Sequence, residues 1–410
     1  ASTNPASFAI TPGFEIQLIR SAGPDEGSWV SLLTDAQGRL LIAKEDRGLL
    51  RMTLSSDGSE VIDAELINDT LEECRGLVFV GSDLYANANN SKGLFRLRSA
   101  AGDQFAEPEL VLATTGGVGH GRNDLALGPD GMIYSIHGDS VDLPSGVTDH
   151  TSPFREARRG VKTSEGHLLR VNPGSGNVEV LAAGLRNPFG IDFNPIGDVF
   201  TYDADAEYDM GAPWYRPTRV SDLLVGGDYG WRGVTKSWPP YYPDHADNTR
   251  PNLDIGKGSP TAVKFGTRSH FPPRYRQALF ILDWAYGRVV AVHCLPRGSS
   301  YLMTAETFLK GRPLNVTDLD FGSDGSMYLI TGGRKTHSAL YRIRHLGGRS
   351  EQVIERTALQ RARESFAEQA RSTRRDLESL LQNAPDVTPR DRFWRHLSDP
   401  DPWISQAAFH

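Results

Sequence analysis

Between about residues 12 and 346 the chain repeats one small pattern six times: an apolar strand, a tight turn, a second apolar strand, then a gap and a third. The clearest copies are LLTDAQGRLLIAKEDRGLLRM at 32–52, LALGPDGMIYSI at 125–136, and LDFGSDGSMYLI at 319–330 followed by SALYRI at 338–343. Looser copies stand at 77–97, 190–202 and 262–293. The Asp-Gly pairs at 130–131 and 324–325 are turn signals, because glycine takes a positive φ at little steric cost. Strand-rich units repeated radially leave only short edges exposed. An α/β barrel would need helical segments between the strands, and the repeats have none. The load of 42 Gly and 25 Pro also disfavours a helical bundle. The pattern predicts an all-β fold, a six-bladed β-propeller over residues 1–346.

At Arg349 the composition changes. Residues 350–382 are rich in helix formers and nearly free of Gly and Pro. Asp386 to His410 reads as a second helical start. Residues 347–410 are therefore expected to form a C-terminal α-helical segment. Its Ser-Asp-Pro-Asp-Pro turn resembles the opening of a HEAT-type helical repeat; a helical cap packed on the propeller is the equal alternative.

A net charge of −7 argues against a nucleic-acid-binding protein with an overall basic face. No apolar run approaches the length of a membrane span. Two cysteines, Cys74 and Cys294, are too few for a disulfide framework or a four-cysteine metal site. The chain opens at Ala1 in a small polar run, as a mature exported chain does; a cut in a longer chain reads the same.

Propellers place ligands at the axis, on loops between strands. His120 lies in a Gly-rich loop five residues before the strand that begins at Leu125, where its ring can act as a base near neutral pH. Arg122, Asn123 and Asp124 stand beside it. Arg186 and Asn187 precede another inner strand at the same register. Asp203, Asp205, Glu207 and Asp209 alternate over seven residues, hard oxygen donors at a spacing that suits Ca²⁺. Lys44, Arg75, Asn89, His137, Asp139, His167, Lys257, Asp283, Tyr286, Arg288, Arg312, Arg334 and Lys335 sit at strand ends or loops. The arginines among them would receive an anion, since guanidinium groups match carboxylates bidentately.

Residues 70–345 resemble the soluble pyrroloquinoline-quinone (PQQ) sugar dehydrogenases and the related sorbosone and aldose dehydrogenase-like propellers. The resemblance rests on His120 followed by Gly128-Pro129-Asp130, on GLRNPFGIDF at 184–193, on DADAEYD at 203–209 with Gly-x-Tyr-Gly-Trp at 227–231, and on residues 259–289. It implies that His120 is the catalytic base and that Arg186 and Asn187 contact the quinone. It also implies that the 203–209 loop holds Ca²⁺. The chain resembles more closely still the large exported dehydrogenase-like proteins of planctomycete type, in which helical repeats and often a c-type haem domain follow the propeller. This chain has no Cys-x-x-Cys-His, so an electron-accepting haem domain would lie outside it.

The carboxylate anchors of that family are not matched. Ala285-Tyr286-Gly287 stands where the family has a lysine, and Asn315 and Thr317 where it has two arginines. Arg75, Arg122, Arg288, Arg312 and Lys335, with Arg186 and Asn187, are the groups left to hold the cofactor. The expected activity is a PQQ-dependent, Ca²⁺-supported sugar or alcohol dehydrogenase, exported to the periplasm or beyond and acting on a carbohydrate or small polyol. Two other readings stand beside it: a carbohydrate-active lyase or hydrolase without quinone, and a non-catalytic sugar-binding propeller.

Overall fold

The computed structural model describes residues 2–236, 248–348, 355–383 and 390–410, without the side chains of 381–383. It contains six antiparallel blades around one axis. Blade 1 runs through Trp29–Thr34, Leu40–Lys44, Leu49–Leu54 and Val61–Asn68, and blade 2 through Cys74–Val80, Asp83–Ala88, Gly93–Leu97 and Glu109–Ala113. Blade 3 comprises Arg122–Leu127, Ile133–His137, Gly166–Val171 and Val178–Leu185, with Thr148–Asp149 on its outer edge. Blade 4 comprises Ile191–Phe193, Val199–Asp203, Thr218–Asp222 and Leu253–Gly256. Blade 5 holds Pro260–Phe265, Leu279–Asp283, Arg288–Arg297 and Ser300–Lys310, edged by Ala9–Ile10.

Blade 6 takes Val316–Phe321, Met327–Thr331 and Ala339–His345 from the C-terminal end of the ring and Phe14–Ser21 from its beginning. Ile16 faces Ile343 and Phe14 faces His345 in this pairing, which closes the ring. The Phe14 ring is packed 4.8 Å from both Phe271 and Phe308, so the closing strand is pinned to the largest apolar cluster.

Each first turn is built the same way in blades 1, 3, 4 and 6. An Asp or Asn side chain accepts the backbone N–H two residues on: Asp35 from Gln37, Asp130 from Met132, Asn194 from Ile196, Asp324 from Ser326. Gly131 and Gly325 take φ of 75° and 71° in these turns.

Every junction between blades is stitched by a side chain that reaches a backbone group of the next. Ser31 Oγ donates to Cys74 O at 2.7 Å, and Asn87 Nδ2 to Asn123 O at 2.8 Å. Asp124 accepts from Ile191 N at 3.2 Å, and Asp192 from Phe265 N at 2.6 Å. Thr261 Oγ1 donates to Val316 O at 3.0 Å, while Asp318 and Asp320 accept from Leu32 N and Thr34 N, each at 2.7 Å. The strands approach so closely that a Cβ on Gly190 would lie 2.3 Å from Val263 N. Burial lowers the pKa of Lys264 on the inner strand of blade 5, but Asp192, Asp124, Asp320 and Asp318 more than reverse it and hold the ammonium charged.

Helices at Ala358–Asn383 and Pro402–Phe409 pack on the propeller, with a short turn of helix at Arg390–Trp394. Residues 349–354 and 384–389 of the expected helical segment lie outside the described residues. Asp401 caps the last helix, accepting from Trp403 N and Ile404 N, and also accepts from Ser299 N at 2.6 Å and Ser299 Oγ at 2.8 Å. Arg374, 2% exposed, reaches Asp198 at 3.0 Å, Glu378 at 3.5 Å and Asp222 at 3.7 Å. Burial pushes Asp222 up to about 7 against the pull of Arg374. No described helix is long and apolar enough to cross a membrane.

Removing Arg374 leaves Asp222 and Glu378 buried around an absent cation, while Asp198 keeps Arg375 at 2.7 Å. Arg374→Ala is expected to lower unfolding free energy by about 3–5 kcal/mol in a denaturant titration. A loss below about 1 kcal/mol would show that these contacts do not secure the helix.

Candidate active site

The loops that enter each blade and those that link its second and third strands surround an axial cavity of about 260 Å³. Its wall includes His120, Arg75, Arg186, Asn187, Glu45, Glu73, Glu207, Phe189, Trp284, Thr317 and Arg334. Asp198 and Ser299, which receive the C-terminal helices, lie at the opposite ends of their strands.

His120 is held by a chain of hydrogen bonds. Its Nδ1 is 2.7 Å from Asp139 Oδ1, and the other Asp139 oxygen accepts from Trp231 Nε1 at 2.7 Å. Asp139 N also donates to Arg186 O at 2.8 Å. The loop fits because Gly138 lies against it: a Cβ there would meet the His120 backbone at 2.7 Å. With Nδ1 committed to the carboxylate, Nε2 of the one-third-exposed ring makes no hydrogen bond among the described residues. That leaves a base with fixed tautomer facing a cavity.

Asp203 shapes the second half of the site. Its carboxylate is buried and accepts the backbone N–H groups of Arg186 at 3.0 Å, Asn187 at 2.8 Å and Ala204 at 2.7 Å. The Arg186 guanidinium lies 5.3 Å over Trp231 and 3.5 Å from Glu207, and its Nε is buried without a partner among the described residues. Asn187 Oδ1 accepts from Asn123 Nδ2 at 3.1 Å. Arg75 is wired to Glu73 at 2.7 Å and to Asn123 Oδ1 at 3.2 Å, while Arg334 stacks 4.9 Å over Trp284.

His120, Arg186, Asn187 and Arg75 are thus brought together, as expected. Four expected cofactor contacts are not. Arg122 is fully buried and donates to Thr114 Oγ1, Thr115 O and Gly117 O, bracing the loop that leads to His120. Arg288 turns to Asp283 at 2.8 Å and to Lys257 O, and Arg312 is exposed away from the cavity. Lys335 is exposed beyond the cavity wall, its N–H donating to Glu45 Oε2 at 2.7 Å.

The expected Ca²⁺ set is not assembled either. Asp203 accepts three backbone N–H groups, Asp205 Oδ2 accepts from Tyr215, and Glu207 is exposed toward Arg186. Asp205 Oδ1 and Asp209 Oδ2 are buried without partners, but no group of three or more His, Cys, Asp or Glu suited to a metal ion occurs among the described residues. The loop at 227–231 serves a different end, placing Trp231 under Asp139 and Arg186.

Asp139 and Arg334 were legible only as polar residues at strand ends or loops, and Glu45, Glu73 and Trp284 carry no mark in the sequence. Asp139 sits 19 residues from His120, and only the pairing of Arg122 with His137 across two strands of blade 3 brings it near. His137 and His167 are buried neighbours, ring centroids 5.0 Å apart, and neither lines the axial cavity. Burial depresses His167 to about 4.

Because the unfolded imidazole titrates near 6.5, the unfolded state binds the extra proton between pH 6.5 and 4 and stability falls as pH drops through that window. Relative to His167→Gln, the wild type is expected to lose on the order of 3 kcal/mol between pH 7 and 4 in paired denaturant titrations. A pH-independent difference would contradict a neutral buried His167.

Three solved structures share the propeller. The PQQ-bound aldose sugar dehydrogenase from Streptomyces coelicolor is 15% identical, with TM-score 0.58 over 82% of this chain and 100% of that one. The holo form of the pyranose dehydrogenase PQQ domain from Coprinopsis cinerea is 15% identical, TM-score 0.59, over 82% and 97%. The calcium structure of a Trichoderma reesei carbohydrate-active enzyme of family AA12 is 15% identical, TM-score 0.61, over 84% and 98%. At these identities the likeness establishes the fold. No curated protein matches the chain. A family profile does match over residues 3–212, and by it the chain belongs to the family described as Domain of unknown function (DUF7133).

Proposed function

We propose that the axial cavity is the active site of a quinone-dependent oxidoreductase that oxidises a hydroxyl group of a carbohydrate or small polyol. The observation that carries this reading is the Trp231–Asp139–His120 chain, which ends on a cavity flanked by Arg75, Arg186, Arg334 and Asn187. The solved structures named for PQQ and sugar dehydrogenase activity support it at the level of a shared scaffold.

The donor set suits a planar anionic quinone. Three guanidinium groups and one amide border the cavity, and the buried, unpartnered Nε of Arg186 is a donor without an acceptor. Arg75, Arg186, Arg334 and Asn187 would hold PQQ. When bound, the quinone would supply a two-electron oxidant for the substrate carbon. His120 Nε2 takes the proton of the substrate hydroxyl. Asp139 keeps the ring in the required tautomer and steadies the imidazolium. Phe189 and Trp284 give the cavity wall its aromatic faces. The acids at 203–209 receive no calcium-binding role.

One observation favours a second reading, carbohydrate chemistry without quinone. Glu45, Glu73 and Glu207 line the same cavity and formally balance its three arginines.

An exported protein that passes electrons to an acceptor outside this chain, such as a haem domain, completes the proposal. Residues 1–346 are taken as the propeller and 347–410 as an appended helical segment, the start of a HEAT-like array.

Titrating the full chain with PQQ and Ca²⁺, followed by absorbance and by dye reduction with an aldose panel, tests the reading. Saturable binding and turnover are expected, with turnover reduced about 10²–10⁴-fold in His120→Ala while quinone binding persists. Absence of both binding and dye reduction would sink it. Glu207→Gln, which frees Arg186 from a half-exposed competitor, is expected to tighten quinone binding several-fold in the same titration. Weaker binding would mean that Glu207 does not oppose the anion.

A further inference from the structure

A group of buried charges stands outside the axial cavity. Glu165 immediately precedes the third strand of blade 3, and Asp228 and Arg232 lie on the loop after the third strand of blade 4. None of the three lines the cavity. Arg232 grips Asp228 with two N–H groups, Nη1 to Oδ1 at 3.1 Å and Nη2 to Oδ2 at 2.6 Å. Its Nη1 also donates to Trp231 O at 2.8 Å and reaches Glu165 Oε2 at 3.3 Å. Burial opposes the charge of Asp228, but Arg232 more than reverses it and holds the carboxyl below its ordinary range.

The same loop is bonded through its backbone to blade 3. Tyr229 N donates to Ala183 O at 2.9 Å, Trp231 N to Gly184 O at 2.8 Å and Gly233 N to Ser164 O at 2.6 Å. Ser164 is held at φ of 51°, a conformation that side chains rarely adopt. Asp228 Oδ1 further accepts from Gly230 N at 2.9 Å, next to Trp231. A loop of blade 4 thus rides on blade 3 and delivers Trp231 to it. The two parts of that indole serve different partners: its N–H donates to Asp139, which holds His120, and its ring carries Arg186 at 5.3 Å.

We propose that Arg232 is a positioning residue of the axial site. By gripping Asp228 and the Trp231 carbonyl it sets one indole against both Asp139 and Arg186, and so aligns the proton-accepting and anion-binding halves from outside the cavity. The proposal rests on the reading of His120 as the proton acceptor. Lysine is no substitute, because one ammonium cannot reproduce the planar fork that meets both carboxylate oxygens and the carbonyl together.

The test is ¹H–¹⁵N NMR of the full chain labelled in tryptophan and histidine, a readout that needs neither quinone nor turnover. Trp231→Phe and His120→Gln identify the two resonances, and Asp139→Asn marks the indole proton without a carboxylate acceptor. In Arg232→Lys the Trp231 indole proton is expected to move upfield toward its Asp139→Asn position and the His120 ring signals to shift with it, while Trp29 and Trp284 keep theirs. PQQ, titrated calorimetrically, is expected to bind Arg232→Lys several-fold more weakly than the wild type. If Arg232→Lys does not fold, Asp228→Asn, which keeps an oxygen for the Gly230 N–H, carries the same test. Unmoved Trp231 or His120 signals in the folded variant would overturn the proposal, as would a shift shared equally by Trp29 and Trp284, or PQQ affinity equal to the wild type's. If PQQ does not bind the wild type at all, the quinone reading falls, and the spectra still decide the positioning role.

Discussion

The ring depends on side chains that reach across each blade junction to the backbone beyond. Ser31, Asn87, Asp124, Asp192, Thr261 and Asp318 each bond to a backbone group of the adjoining blade. Such bonds hold the inner strands at fixed height and spacing, and buried backbone groups that lost them would stay unsatisfied. The acids bring a cost, because burial opposes their charge. Asp124 is pushed up to about 6 by burial, and Asp318 lies well above its ordinary range for the same reason, with Asp124 adding to it. Lys264, whose charge these acids favour in return, is the balancing cation.

Fixed inner strands fix the loops that leave them. Asp203, at the end of a blade 4 strand, accepts the N–H groups of Arg186 and Asn187 and so sets where these two point. Asp139, just past the second strand of blade 3, joins His120 to Trp231. Buried Asp203 and Asp139 therefore act as positioning groups, setting Arg186, Asn187 and His120 on a cavity that Glu45, Glu73 and Glu207 also line. Of the acids at 203–209, Asp203 is spent on backbone N–H groups, while Asp205 and Asp209 each keep one oxygen without a partner among the described residues.

The repeat pattern made the blades legible, since an Asp or Asn turn followed by an apolar run recurs in register. The closing strand Phe14–Ser21 was not legible, because its partner Ala339–His345 lies more than 300 residues away and nothing local marks the pairing. His120, Arg186 and Asn187 could be picked out because each stands just before an inner strand. Arg122 instead begins the inner strand itself and turns into the protein, where Thr114, Thr115 and Gly117 accept its guanidinium N–H groups. Arg288 and Arg312 failed because acid pairing and solvent exposure are settled by tertiary geometry. The Arg334–Lys335 turn carries no sequence mark of its left-handed backbone.

In the proposed function His120, oriented by Asp139, is the proton-accepting group of an axial carbohydrate site. A crystal structure of the chain grown with PQQ, Ca²⁺ and a saccharide tests it most directly. A sugar hydroxyl is expected within hydrogen-bond distance of His120 Nε2, with Arg186 and Asn187 against the cofactor. Ligand density elsewhere on the propeller, or a His120 ring turned away from Asp139 with ligand bound, would contradict it.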